Sequence, residues 1–302
     1  MGVGIGARGL AAVPGGWVAL VGGELVEFGD GWQRARGRVE VSAGHPRESV
    51  GVHASASGRF VAVVVDHGET GVVVELATGA VTLELDRGDY CPGPTLFPVA
   101  FVGADLVVAA TAWNRLDLFD VASGELLSAR EVDEELDFFH GSIHPSPSGR
   151  WLLVDGWMWQ PVGVQVAIDL AAWQAGEPAA EAAREVGPFP LDWNRPTTWL
   201  DDDTIAVQAE GTVALVDIPS GETTARIAAP DGRLWSHEGL LYIAAADGLE
   251  VWSPTEHLHR VDGFHPIAQN PATGALADAR LRTWLPENRH HDSVLGQAGG
   301  DL

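Results

Sequence analysis

The chain has 302 residues, 46% of them hydrophobic and 20% charged, which is enough apolar material for a sizeable core and too much for a disordered chain. Its 42 acidic residues against 18 basic ones leave a formal net charge of −24; every basic residue is Arg, and only Arg34, Arg36 and Arg38 cluster. Phosphate binding needs clustered cations, so nucleic acid and anionic membrane are set aside as partners. A single cysteine, Cys91, leaves no intrachain disulfide framework and no thiolate pair for zinc, and suits a reducing compartment.

The first 23 residues are apolar but lack a basic start. Glycines and Pro14 interrupt them before any run is long enough to span a bilayer, so a cytoplasmic location is expected. The Arg-only, Ala- and Gly-rich composition is what a GC-rich bacterial genome would encode.

Further along, one pattern recurs. Ser55-Ala56-Ser57-Gly58 turns into an apolar strand over residues 59–65, a polar break follows at 66–69, and a second apolar stretch covers 71–76. Ser146-Pro147-Ser148-Gly149 repeats the pattern with strands at 150–154 and 163–170. Glycine supplies the positive φ such turns require. A second turn type, Ala77-Thr78-Gly79, Ala122-Ser123-Gly124 and Pro219-Ser220-Gly221, leads into another short apolar stretch and reads as a hairpin. The strands are apolar on both alternating faces, as a sheet sandwiched between sheets must be. Helical character is confined to residues 171–184.

Second strands of these units start near Trp17, Phe60, Asp105, Trp151, Thr204, Leu240 and Ala275, at intervals of about 45 residues early and about 35 late. This spacing predicts an all-β β-propeller of seven four-stranded blades spanning residues 1–287, followed by a mobile tail over 288–302. The last blade lacks an outer strand after Trp284. Residues 3–7 are expected to pair there and close the ring.

Leu116-Asp117-Leu118-Phe119-Asp120-Val121-Ala122-Ser123-Gly124 is similar to the third strand and following turn of bacterial WD-repeat blades. Phe119-Asp120 and Val216-Asp217 stand where that family has Trp-Asp, and no unit carries its Gly-His dipeptide. The resemblance covers most of the chain at the level of fold. It implies a propeller that serves as a scaffold for other molecules.

In a propeller, the turns joining first to second and third to fourth strands open on one face, and all other connections on the opposite face. The first set is short and bland here, apart from an enlarged loop near Trp173. The second set, at residues 86–98, 112–115, 133–140, 155–161 and 187–197, is long and rich in aromatic, His and carboxylate residues, where scaffolds place function. Tyr90, Trp113, Asn114, Arg115, His140, Trp157, Trp159, Trp193, Asn194 and Arg195 are the candidate contacts for a protein or peptide. Trp and Arg are frequent binding anchors, and the tripeptide Trp-Asn-Arg occurs twice, at 113–115 and 193–195.

No nucleophile elbow, phosphate loop, dinucleotide fingerprint or His-Glu-x-x-His motif is present. A non-catalytic binding scaffold without cofactor is therefore the first expectation. The second is a metal-assisted hydrolase, lyase or lactonase-like enzyme, with Asp89, Asp137, His140, Asp155 and Asp192 holding a divalent ion at the channel mouth. His140 and His144 are expected about 13 Å apart on one strand face, too far to share a metal. A carbohydrate-binding module presenting its tryptophans is the third.

Overall fold

The computed structural model describes residues 5–41, 43–90, 92–128, 137–158, 162–176, 184–186 and 193–286. Their strands form seven antiparallel sheets in chain order, numbered here as blades 1 to 7. In each blade the first strand is innermost, as in Leu10–Val13, Ser49–Ala54, Val99–Val102, Phe139–Pro145, Thr197–Trp199, Arg233–His237 and Pro266–Gln269. Second strands begin at Gly16, Phe60, Leu106, Trp151, Thr204, Leu240 and Leu276, each within one residue of its sequence marker.

Turn chemistry sets the repeat. The Ser55 hydroxyl accepts from Phe60 N–H at 3.1 Å, and Ser146 accepts from Trp151 N–H at the same distance. Gly58 and Gly149 occupy φ of 68° and 75°, which a side chain resists. In both copies the Arg guanidinium, Arg59 or Arg150, covers the next ring, Phe60 or Trp151, at 4.6 and 4.7 Å. The second turn type is equally regular: Gly79, Gly124 and Gly221 N–H donate to the carbonyls of Glu75, Asp120 and Asp217.

Burial on both strand faces divides the core into seven clusters, one at each junction between blades. Along the second strand of blade 2, Val61 and Val63 pack toward blade 1, whereas Phe60, Ala62 and Val64 pack toward blade 3. Trp151 and Leu153 likewise face blade 5 while Leu152 and Val154 face blade 3. Alternation by two therefore places every second residue in a different cluster.

Three expectations are corrected. Blade 3 has three strands among the described residues where four were expected; beside its third strand, residues 125–128 make a single bridge, Phe119 to Leu126, with Asp120 N–H donating to Glu125 O, Leu127 N–H to Leu118 O and Leu118 N–H to the Ser128 hydroxyl, whereas blade 7 has three strands, as the missing outer strand after Trp284 implies. Residues 5–8 form a turn and no strand. The chain passes from that turn straight into the inner strand at Leu10, and residues 3 and 4 of the expected pairing segment lie outside the described residues. The ring closes instead through the adjacent inner strands of blades 1 and 7, with Ile5 buried against Ala268 and Ala277 and Arg233 donating to Ala7 O. Among the described residues the helix covers Leu170–Gln174, capped by Asp169, which accepts from Ala171 and Ala172 N–H. It ends before the predicted limit at 184, and residues 177–183 lie outside the described residues. Gly176 at φ 76° follows the helix, and Trp173 is core between blades 3 and 4. The predicted tail at 288–302 lies outside the described residues.

Candidate functional site

The face on which the long connections between blades open, the broad-loop face, carries a continuous ladder of five aromatic rings. Tyr90, in the connection between blades 2 and 3, meets Trp113 at 5.2 Å and Phe139 at 6.0 Å between centroids. Trp113, in the turn between the second and third strands of blade 3, meets Phe139 at 4.4 Å. Phe139 stacks on Trp157 at 4.3 Å, its partner across the first and second strands of blade 4. Trp157 stacks on Trp193 at 5.6 Å, in the connection between blades 4 and 5. Each such pair adds about 0.5–1.5 kcal/mol beyond the area it buries.

The ladder is graded in exposure. Phe139 and Trp157 are 1% and 5% exposed, whereas Tyr90 is 49% exposed, and Trp113 and Trp193 lie between. Its middle belongs to the core and its ends face solvent.

Hydrogen bonds hold both ends. Arg87 is 3% exposed, and its guanidinium donates to the carbonyls of Gly68, Leu96, Pro92 and Thr95 and to the Thr95 hydroxyl. Burial lowers its pKa to about 10, against the opposing pull of Asp66 and Glu69. The loop so fixed presents Pro94 O, which accepts from Trp193 Nε1 at 3.1 Å and Asn194 Nδ2 at 3.0 Å. Asp155, 1% exposed, accepts from Arg195 N–H at 2.8 Å. The two connections that carry Tyr90 and Trp193 are thereby joined to each other.

Of the candidate contacts, the structure brings together Tyr90, Trp113, Trp157 and Trp193. The two Trp-Asn-Arg tripeptides are not equivalent: the first is a tight turn within blade 3, the second precedes the inner strand of blade 5, with Asn194 at φ 59°. Asn114 is buried. Arg115 is paired with Asp117 at 2.6 Å, and Arg195 donates to Gln208 O. His140 is buried edge-on to Phe138 at 5.0 Å, and its backbone N–H donates to Trp113 O. Trp159 falls outside the described residues. Phe139, the hub of the ladder, was missed; the Phe138-Phe139 pair was visible and both rings are buried, but only the tertiary structure decides which of them joins the ladder.

Among the described residues no three His, Cys, Asp or Glu side chains gather closely enough to hold a metal. Asp89, Asp137, His140 and Asp155 are therefore not assembled into a site, and Asp192 lies outside the described residues. His140 and His144 both lie on the inner strand of blade 4. His144 belongs to a second polar group, in which Arg8 pairs with the fully buried Asp66 at 3.1 Å and contacts His53 Nε2 at 3.3 Å. Burial, then the Arg8 charge, lowers His53 to about 3 and His144 to about 4. Both rings are thus neutral at pH 7.

The fold is a seven-bladed β-propeller whose blades have three or four antiparallel strands. No family model and no curated protein matches the chain. Among solved structures, a chain of the mitotic checkpoint complex superposes with a TM-score of 0.60 at 12% identity, over 92% of this chain and 86% of that one. The β-propeller domain of Cps50 (Swd1) from Myceliophteria thermophila superposes with a TM-score of 0.53 at 11% identity, over 82% and 83%. At such identities the likeness is one of fold.

Proposed function

We propose that this propeller is a cytoplasmic, non-catalytic scaffold that binds a protein or peptide segment on its broad-loop face, at the solvent-facing ends of the aromatic ladder. The observation that carries this reading is the ladder itself. All five of its rings come from connections or strand ends on one face, its inner members Phe139 and Trp157 are buried in the core, and Tyr90 is left 49% exposed. A rigid aromatic whose base is buried loses little conformational entropy when its outer face is covered, which is the profile of an interface anchor. The likeness to a chain of a multiprotein complex agrees with a scaffold, though by fold analogy alone.

The test is selection from a displayed random-peptide library, followed by affinity measurement on purified variants. Selected peptides are expected to lose about tenfold or more in affinity with Tyr90→Ala or Trp113→Ala. They should be unaffected by Trp32→Ala, an exposed tryptophan on the outer strand of blade 1. Peptides indifferent to Tyr90 and Trp113, or no selectable peptide at all, would overturn the reading.

A further inference from the structure

We infer that the exposed end of the ladder, Tyr90 with Trp113, is a recognition point for a Lys or Arg side chain of a basic peptide. This inference rests on the scaffold reading above and adds the chemistry of the partner.

Three observations converge. First, the geometry offers π faces: Tyr90 and Trp113 lie 5.2 Å apart at 53°, with Tyr90 half exposed and Trp113 partly so. An ammonium or guanidinium within about 6 Å of such a ring is attracted by its quadrupole, Trp most strongly.

Second, the carboxylates that flank these rings in the chain are in no ion pair among the described residues, whereas the arginines of the same face are committed. Asp89 adjoins Tyr90, Asp86 lies just before it, and Asp137 adjoins the Phe138-Phe139 pair whose second ring touches both Tyr90 and Trp113. All three carboxylates are exposed and enter no ion pair among the described residues. The arginines of the same face are occupied. Arg87 is buried among carbonyls, Arg115 is held by Asp117, and Arg195 is bonded to Gln208 O.

Third, the whole chain carries a charge of −24, so its long-range field attracts cations and raises their encounter rate. Carboxylates around an aromatic pair make a site in which a cation gains both Coulomb and ring-quadrupole attraction. An anionic side chain there would meet repulsion from the rim and from the ring faces alike. A neutral peptide would gain only apolar contact.

The experiment uses the full chain and three synthetic peptides of equal length and equal apolar content, carrying Lys and Arg, neutral Gln, or Glu at the variable positions. Binding is read by fluorescence anisotropy at low and physiological salt. The expected result is binding of the basic peptide about tenfold or more tighter than the neutral one, weakening as salt rises. That preference should fall with Tyr90→Ala, and the salt dependence should flatten with the combined Asp89→Asn and Asp137→Asn variant. Both sites are exposed, so the variants are expected to fold, as circular dichroism would check.

Equal binding of the basic and neutral peptides, lost with Tyr90→Ala, would overturn the charge preference and leave the scaffold reading standing. Binding indifferent to Tyr90, or absent for all three peptides, would overturn both. Displacement of the basic peptide by spermidine at the peptide's own concentration would assign the cation site to a small polyamine and overturn the peptide inference.

Discussion

The carboxylate of Asp66, at the end of the second strand of blade 2, accepts a hydrogen bond from the backbone N–H of Phe97 at 3.1 Å. Asp155 in blade 4 does the same for Arg195 at 2.8 Å. Phe97 and Arg195 each precede a proline, Pro98 or Pro196, on the approach to the next inner strand. Proline restricts the residue before it to extended backbone, and its own missing N–H leaves that residue's N–H as the donor to be satisfied. A buried aspartate in one blade therefore sets where the next blade begins. Replacing Asp66, which is fully buried and also pairs with Arg8, by Ala is expected to cost about 3–5 kcal/mol, because the Arg8 charge and the Phe97 N–H lose their partner together. Urea unfolding followed by tryptophan fluorescence checks this, and a loss below about 1 kcal/mol would show that the bond does not organise the junction.

The grading of the ladder separates stability from binding. Trp157→Ala removes a 5%-exposed ring stacked on both Phe139 and Trp193, and is expected to cost about 3–5 kcal/mol. Tyr90→Ala removes a half-exposed ring and should cost about 1 kcal/mol or less. Equal losses in denaturant unfolding at the two positions would contradict the assignment of core and rim.

Arg87 positions the loop that carries Tyr90. Lysine at this place keeps the charge but cannot reach five acceptors in the guanidinium plane. Arg87→Lys is expected to lose about 2–3 kcal/mol and to speed amide exchange through residues 92–96. It should also shift the emission of Trp193, whose indole donates to Pro94 O. Unchanged exchange in that loop would mean that backbone turns alone hold it.

Acid should weaken the fold through the inner strands. His53 and His144 titrate at about 3 and about 4 in the folded chain, against 6.5 ordinarily, because burial, reinforced by Arg8, opposes their charge. Below pH 6.5 the unfolded chain takes up protons that the folded chain refuses. The neutral rings therefore carry no penalty above that pH, and stability falls as pH drops toward the folded values. Between pH 7.5 and 5.0 the loss is at most about 2 kcal/mol per ring, and less for rings that are partly exposed, as these are. Comparing urea midpoints at the two pH values in the wild type and in a His53→Asn, His144→Asn variant isolates this contribution. An identical pH slope in both proteins would remove the histidines from the account.

Turn chemistry and apolar alternation were both legible from the residues. Ser55-to-Gly58 and Ser146-to-Gly149 form the same bonds because a serine hydroxyl and a glycine of positive φ act over five residues. Phe60 to Val64 are all fully buried because an apolar residue on each face of a strand demands a neighbour on each face. Seven such units determine seven blades and their two unlike faces, and connectivity alone places Tyr90, Trp113, Trp157 and Trp193 on one of them. What only the tertiary structure decided is contact between segments far apart in the chain. Trp193 meets Pro94 across 99 positions, Phe139 and not Phe138 joins the ladder, and residues 5–8 turn toward Arg8's partners instead of pairing beside Trp284. Local rules act over a few residues and repeat with the unit. Contacts between connections depend on how the ring closes, and no period in the sequence encodes that.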